Sequence, residues 1–185
     1  PAWAQLGRCL RVIAKFIDGS DETNERAEQA LRRALELNPR LPIAHKFYAN
    51  LESDTGKPQQ ALVRLLGQAQ RHGNDPELFA GLVHACRYAG LLDQSIAAHV
   101  EARRLDPNVP TSLEGTLLMT GDIERLLAVE RRASLTGGDE VIRAIGLGLA
   151  GRRDEARRTL LGMKQAPSVA AFRSWKDFLL SWLDR

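Results

Sequence analysis

Turn residues recur along this chain in two interleaved series, and that periodicity limits the fold more than any other feature. Prolines close helical runs at Leu-Asn-Pro39, Asn-Asp-Pro76 and Leu-Asp-Pro107, spaced 37 and 31 residues apart. Glycines at Gly56, Gly90, Gly121 and Gly151 are spaced 34, 31 and 30, each between two apolar-periodic runs. Two punctuation series sharing one period imply two helices per unit, with a glycine turn inside the unit and a proline-marked turn between units. The residue five positions after each turn glycine is small in three units, Ala61, Ser95 and Ala156, and large in one, Leu126. A small residue there lets two helices approach closely, so Ala61→Leu is expected to overpack its pair.

The first unit opens Trp3, Leu6, Gly7, Leu10 and closes with Ala27, Ala34 and Pro39; the second carries Ala49, Gly56 and Ala61; the third Phe79, Leu82, Gly90, Ser95, Ala102 and Pro107; the fifth Ala144, Gly151 and Ala156. These residues resemble the tetratricopeptide repeat, a helix-turn-helix unit of about 34 residues, with Leu10 where the family has Tyr and with a degenerate fourth unit. The resemblance covers residues 1 to 165 and implies an all-α, right-handed α-α superhelix. The spacing predicts helix pairs at 2–17 with 22–37, 41–55 with 58–72, 77–89 with 92–104, 110–119 with 122–134, and 139–150 with 152–164, then a last helix at 168–184 after Pro167. That is about eleven helices in five and a half repeats, read as one solenoid domain with repeats at 1–39, 40–75, 76–107, 108–136 and 137–166 and a final helix within 167–185.

Composition agrees with helix: aromatics are 5% of the chain, so no large sandwich or barrel core is on offer. No run reaches the length of apolar sequence that spans a membrane, and the N-terminus lacks the pattern of a signal peptide. Cys9 and Cys86 form no CxxC pair and read as small core residues in a reducing, cytoplasmic setting. The net charge of +3 is mild, and charges alternate in sign along the helices, which disfavours nucleic acid. Val141, Ile145 and Leu149 occupy first-helix places where an RNA-reading repeat needs polar residues.

No catalytic, metal or cofactor constellation emerges. His45, His72, His84 and His99 stand without an Asp or Cys at a sequence spacing that would orient a base or bind a metal; an enzymatic alternative would centre on His84. Gly146-Leu147-Gly148 and Gly137-Gly138 read as helix packing and a turn, and the segment from Asp18 to Glu25 as a helix N-cap at Ser20 or Asp21, not a calcium loop. Arg152, Arg153, Arg157 and Arg158, interleaved with Asp154 and Glu155, read as intrahelical ion pairs.

What the resemblance implies is a concave groove lined by first helices. Its register puts Arg8 and Arg11 there from the first unit, Lys46, Asn50 and Ser53 from the second, and His84, Arg87 and Tyr88 from the third, a basic set suited to an acidic protein or peptide partner. Lys46 and Asn50 match the opening pair of the family's carboxylate clamp, but Gly81, Thr111 and Gly115 stand where the rest of it belongs. The last helix carries Phe172, Trp175, Phe178, Leu179 and Trp182, mostly at steps of three and four; this stripe either seals the fifth repeat, or pairs with a second copy of the chain, or marks the place where a further repeat should stack. The runs PAWAQLGRCLRVIAKF and NDPELFAGLVHACRYAGLLDQSIAAH are similar to tetratricopeptide regions attached to bacterial serine/threonine kinases or nucleotide cyclases. That likeness, with the start at Pro1, implies a regulatory piece of a longer signalling chain.

Overall fold

The computed structural model describes residues 1–73, 75–129, 138–163 and 170–185, and over these the chain is all-helical, with eleven α-helices and no strand. Its helices group into two compact units, Pro1–Leu113 and Glu114–Arg185, divided inside the degenerate fourth repeat.

The first unit holds α1 (Ala2–Ile13), a π-helical turn (Ala14–Asp18), α2 (Asp21–Leu37), α3 (Pro42–Asp54), α4 (Pro58–His72), α5 (Pro76–Tyr88) and α6 (Leu92–Leu105). Local chemistry fixes their ends. Ser20 caps α2 by accepting from the Thr23 amide at 3.2 Å, with Asp21 and Glu22 in the first turn to complement the helix dipole. Pro42, Pro58 and Pro76 open α3, α4 and α5, where the missing N–H costs nothing. Asp75 caps α5 through the Glu77 amide at 2.9 Å. The turn glycines of the sequence series, Gly56, Gly90, Gly121 and Gly151, all take positive φ between 74° and 79°, a conformation that other residues adopt only under strain.

Packing follows the small-on-large scheme. Ala4, Ala27, Ala30, Leu31, Ala34, Ala44, Phe47 and Leu51 form the core of the first repeat and its junction with α3. Ala49, Ala61, Leu65, Leu78, Leu82, Val83 and Ala98 form the next. Gly7, Ala49, Ala61, Ser95 and Ala156 are all buried, as the register requires, and the Ser95 hydroxyl donates to the Val83 carbonyl at 2.7 Å.

In the second unit, α7 (Leu113–Thr120) starts at the boundary and is followed by α8 (Ile123–Ala128), α9 (Gly138–Leu149), α10 (Arg153–Gly162) and α11 (Ala170–Leu183). The helix expected at 110–119 begins three residues late. Thr111 and Ser112 are instead tied by side chains, His99 Nδ1 lying 2.8 Å from the Thr111 hydroxyl and Arg87 donating to the Ser112 carbonyl at 2.5 Å. α8 stops where Val129 turns extended; the rest of the expected 122–134 helix, Gly137 and Pro167 lie outside the described residues. Leu126, the exception to the small-residue rule, is buried against a compensating gap: a Cβ on Gly146 would fall 2.7 Å from its Cδ2. The small residue here stands on α9, the first helix of the following unit. Gly148 lies likewise against Trp182, so both glycines of the Gly-Leu-Gly fragment serve helix packing.

Two helical glycines should therefore respond to Ala with opposite signs. At Gly7 a Cβ would lie 2.5 Å from Leu31 Cγ and 3.1 Å from the Ala27 carbonyl, so Gly7→Ala is expected to lose about 1–3 kcal/mol despite its better helix propensity. At Gly67 the nearest atom is the tip of Arg71 at 3.4 Å, so Gly67→Ala is expected to gain up to about 1 kcal/mol. Urea denaturation of the two variants checks both.

Candidate functional site

Three first helices of the first unit bring one charged cluster together. The ridge of α3 runs Lys46, Asn50, Asp54 at steps of four, α1 and its π-helical turn supply Arg11 and Lys15, and α5 supplies His84, Arg87 and Tyr88. Asp54 is the hub. One carboxylate oxygen is paired with the Arg11 guanidinium; the other accepts from Lys15 Nζ at 2.6 Å and lies 3.2 Å from His84 Nε2. Its side chain is 7% exposed. A carboxylate at the C-terminal end of a helix is opposed by the helix dipole, so these cations are what hold it ionised there.

Burial alone would raise the Asp54 pKa, but the hydrogen bond from His84 and the charges of Arg11 and Lys15, joined by that of His84 in the acid range where it is protonated, outweigh it and hold the carboxyl well below the usual range. His84 is shifted the other way from a sensor of neutral pH. Burial pushes it down to about 4, with Arg87 and Arg11 adding to the effect and Asp54 opposing it. The imidazole is therefore neutral at pH 7, and its neighbours settle the tautomer. Arg87 lies 3.1 Å from Nδ1 and can only donate, so Nδ1 accepts and Nε2–H points to Asp54.

At the open edge, Lys15 Nζ also donates to the Tyr88 hydroxyl at 2.6 Å and sits 5.1 Å from the centroid of its ring and 5.4 Å from that of Phe16. Tyr88 stacks on His84 with centroids 4.5 Å apart and is 41% exposed. Arg8, farther up α1, lies over Phe47 at 5.6 Å and has no carboxylate partner among the described residues. Lys46 pairs with Glu77 at 2.6 Å. Asn50 is half-buried, and its Oδ1 has no hydrogen-bond partner among the described residues.

Several sequence expectations are corrected. Ser53 is not a groove residue: it is buried and its hydroxyl donates to the Ala49 carbonyl at 2.9 Å. His84 does have an acid beside it, because Asp54 approaches from a different helix, a juxtaposition that spacing along one chain segment cannot reveal. Cys9 is exposed and not a core residue, lying off the α1 face that buries Gly7 and Leu10, whereas Cys86 is buried. Lys15, Asp54 and Glu77 were missed, though extending the register one turn past Arg11 and Asn50 reaches the first two. Of the other histidines, His45 is buried with Nε2 2.8 Å from the Pro39 carbonyl, and the His72 side chain lies outside the described residues. Among the described residues no group of His, Cys, Asp or Glu is arranged to hold a metal, and no helix is long and apolar enough to cross a membrane.

In the second unit, Arg152 pairs with Glu155 at 2.7 Å as expected, while Arg157 pairs with Asp184, just past the end of α11. The aromatic stripe divides. Leu179 and Leu183 are buried and Trp182 packs beside them, but Trp175 and Phe178 are 55% and 69% exposed; the Phe172 side chain lies outside those described.

The cluster gives stability a defined pH dependence. Because His84 titrates lower when folded, the unfolded chain binds an extra proton between about 6.5 and about 4, and stability falls as pH falls through that window. The Asp54 contribution is complete above its ordinary value of 3.8 and is lost only as pH drops further, through its depressed folded value. Urea midpoints are expected to fall between pH 7 and pH 4.5 with a His84 share approaching about 1.4 kcal/mol per pH unit. His84→Gln, which keeps a donor for Asp54, is expected to flatten that slope.

No protein-family model matches the sequence, and no curated protein matches it. Among solved structures, a chain from "Structure of Naa15/Naa10 bound to HypK-THB" aligns with 98% of this chain at a TM-score of 0.52 and 15% identity. The match takes in 29% of that chain, so this sequence spans less than a third of its structural relative. At that identity the likeness is one of fold alone, and it agrees with the packing above: the chain is all-α, built of helices packed in antiparallel succession as in tetratricopeptide-type repeats.

Proposed function

We propose that the chain is a non-catalytic helical-repeat scaffold that holds a segment of a partner protein against the first-helix groove of its first unit. The observation that carries this reading is the Lys15–Tyr88 edge, where a cation and an aromatic ring, both anchored from below by Asp54 and His84, remain open to solvent. Preorganised, amphipathic groups of this kind suit protein recognition. A neutral His84 hydrogen-bonded on both nitrogens serves as a structural wedge and has no position left from which to take a substrate proton. The solved complex that shares the fold contains protein partners, which supports the same reading. The bacterial signalling context expected from sequence draws no support from the comparisons and is carried no further.

The test uses peptides selected from an unbiased displayed library on the whole chain. Bound peptides are expected to slow amide hydrogen exchange in α1, α3 and α5, and Tyr88→Ala is expected to weaken them about tenfold, in line with loss of an aromatic anchor. Peptides that protect only other helices would overturn the groove.

A second reading is self-association through α11, favoured by the exposure of Trp175 and Phe178. Sedimentation velocity is expected to show a concentration-dependent dimer that is lost in Trp175→Glu combined with Phe178→Glu. A strict monomer at all concentrations removes this alternative.

A further inference from the structure

Charge along α1 is unbalanced. Arg8, Arg11 and Lys15 lie on one ridge, at steps of three and four, and among the described residues a single carboxylate, Asp54, pairs with any of them, with Arg11 and Lys15. That carboxylate is placed at the middle and lower positions: it binds Arg11 and one N–H of Lys15. Lys15 has three N–H groups, one on Asp54, one on the Tyr88 hydroxyl, and a third with no partner among the described residues, and its side chain is 27% exposed. Arg8 contributes a guanidinium that rests on the Phe47 ring and meets no acid. One guanidinium without a carboxylate, Arg8, and one ammonium that shares its carboxylate with Arg11, Lys15, therefore flank the Arg11–Asp54 pair. At 1.5 Å per residue, seven residues of helix set them about 10 Å apart.

From this spacing we infer that the segment bound in the groove is acidic and extended, with two carboxylate side chains three residues apart, one received by Arg8 and the other by Lys15; the inference rests on the groove reading above. In the polyproline II conformation, residues i and i+3 project to the same side and are separated by about 9 Å, which the long Arg and Lys side chains span easily. The two intervening residues pass over the Arg11–Asp54 pair, which offers an acid no free cation, so the pattern is acid, two non-acidic residues, acid. The site differs from the family's clamp, which reads a chain-terminal carboxylate: here both acids are internal side chains, and the receiving residues are on α1 and its π-helical turn.

The test is fluorescence anisotropy with the whole chain and short fluorescein-labelled peptides of proline and alanine, both ends blocked, carrying Glu at i and i+3. The expected result is saturable binding that weakens about tenfold or more when the two Glu are adjacent, and again by that amount in either Arg8→Gln or Lys15→Gln. Circular dichroism confirms that the variants are folded, and both neutral substitutions leave the Arg11–Asp54 pair in place. Equal binding of both Glu spacings, or tighter binding of a helical peptide with Glu at i and i+7, overturns the inference. Library-selected peptides separate the two levels of the argument. If they respond to Tyr88→Ala but not to Arg8→Gln or Lys15→Gln, the groove stands and the acidic pair falls. If they protect none of α1, α3 and α5, both fall.

Discussion

Close approach of paired helices is the constraint on which everything else in this chain depends. Where Gly7 meets Leu31, or Gly146 meets Leu126, one side of the contact has no side chain, and the other fills the space with a single leucine. Dispersion and apolar burial then act over short distances without large aromatic residues, which is how a chain so poor in aromatics builds continuous cores. The same constraint explains the fourth repeat. Leu126 violates the small-residue rule at its own position, yet the rule survives as a property of the contact, since Gly146 on the next helix supplies the gap.

Tight pairs also fix which side of each helix is left over. With α1, α3 and α5 buried on the faces that meet second helices, their remaining ridges come side by side, and the residues there must be compatible with three helices at once. Asp54 answers that condition by joining Arg11 and Lys15 from α1 to His84 from α5. A buried carboxylate is costly unless it is paired and hydrogen-bonded on both oxygens. Here it is, and the surrounding groups adjust: His84 stays neutral, Arg87 donates to its other nitrogen, and the Arg87 guanidinium reaches on to Ser112 to hold the segment after α6.

Turns and packing positions were legible in the sequence because they depend on local chemistry. Gly56, Gly90, Gly121 and Gly151 need positive φ wherever they stand, and Ala61, Ser95 and Ala156 recur at a fixed distance from them. The charged cluster was legible to the extent that register alone decides it, which brought Arg11, His84, Arg87 and Tyr88 together but admitted Ser53, a buried residue. Its hub was not. Asp54 is 43 residues from Arg11 and 30 from His84, so only the folded superposition of three repeats reveals the cluster. The π-helical turn at Ala14–Asp18 was also invisible, since nothing in that run departs from ordinary helix composition, and it is this turn that carries Lys15 to its two acceptors.

The cost of burying Asp54 becomes intelligible when its neighbours are considered as a receiving surface. A lysine loses about 1.5–2 kcal/mol of side-chain freedom when it is fixed, and an exposed lysine loses that on meeting a partner. Lys15 is already fixed, by Asp54 below and Tyr88 beside it, before any partner arrives. Arg11 is likewise held in line with it. The buried carboxylate thus shifts an ordering cost from binding to folding, where the close-packed helix pairs offset it. What remains at the edge of the cluster is a cation whose position is set and whose charge is only partly neutralised, which is the condition that the proposed acidic partner requires.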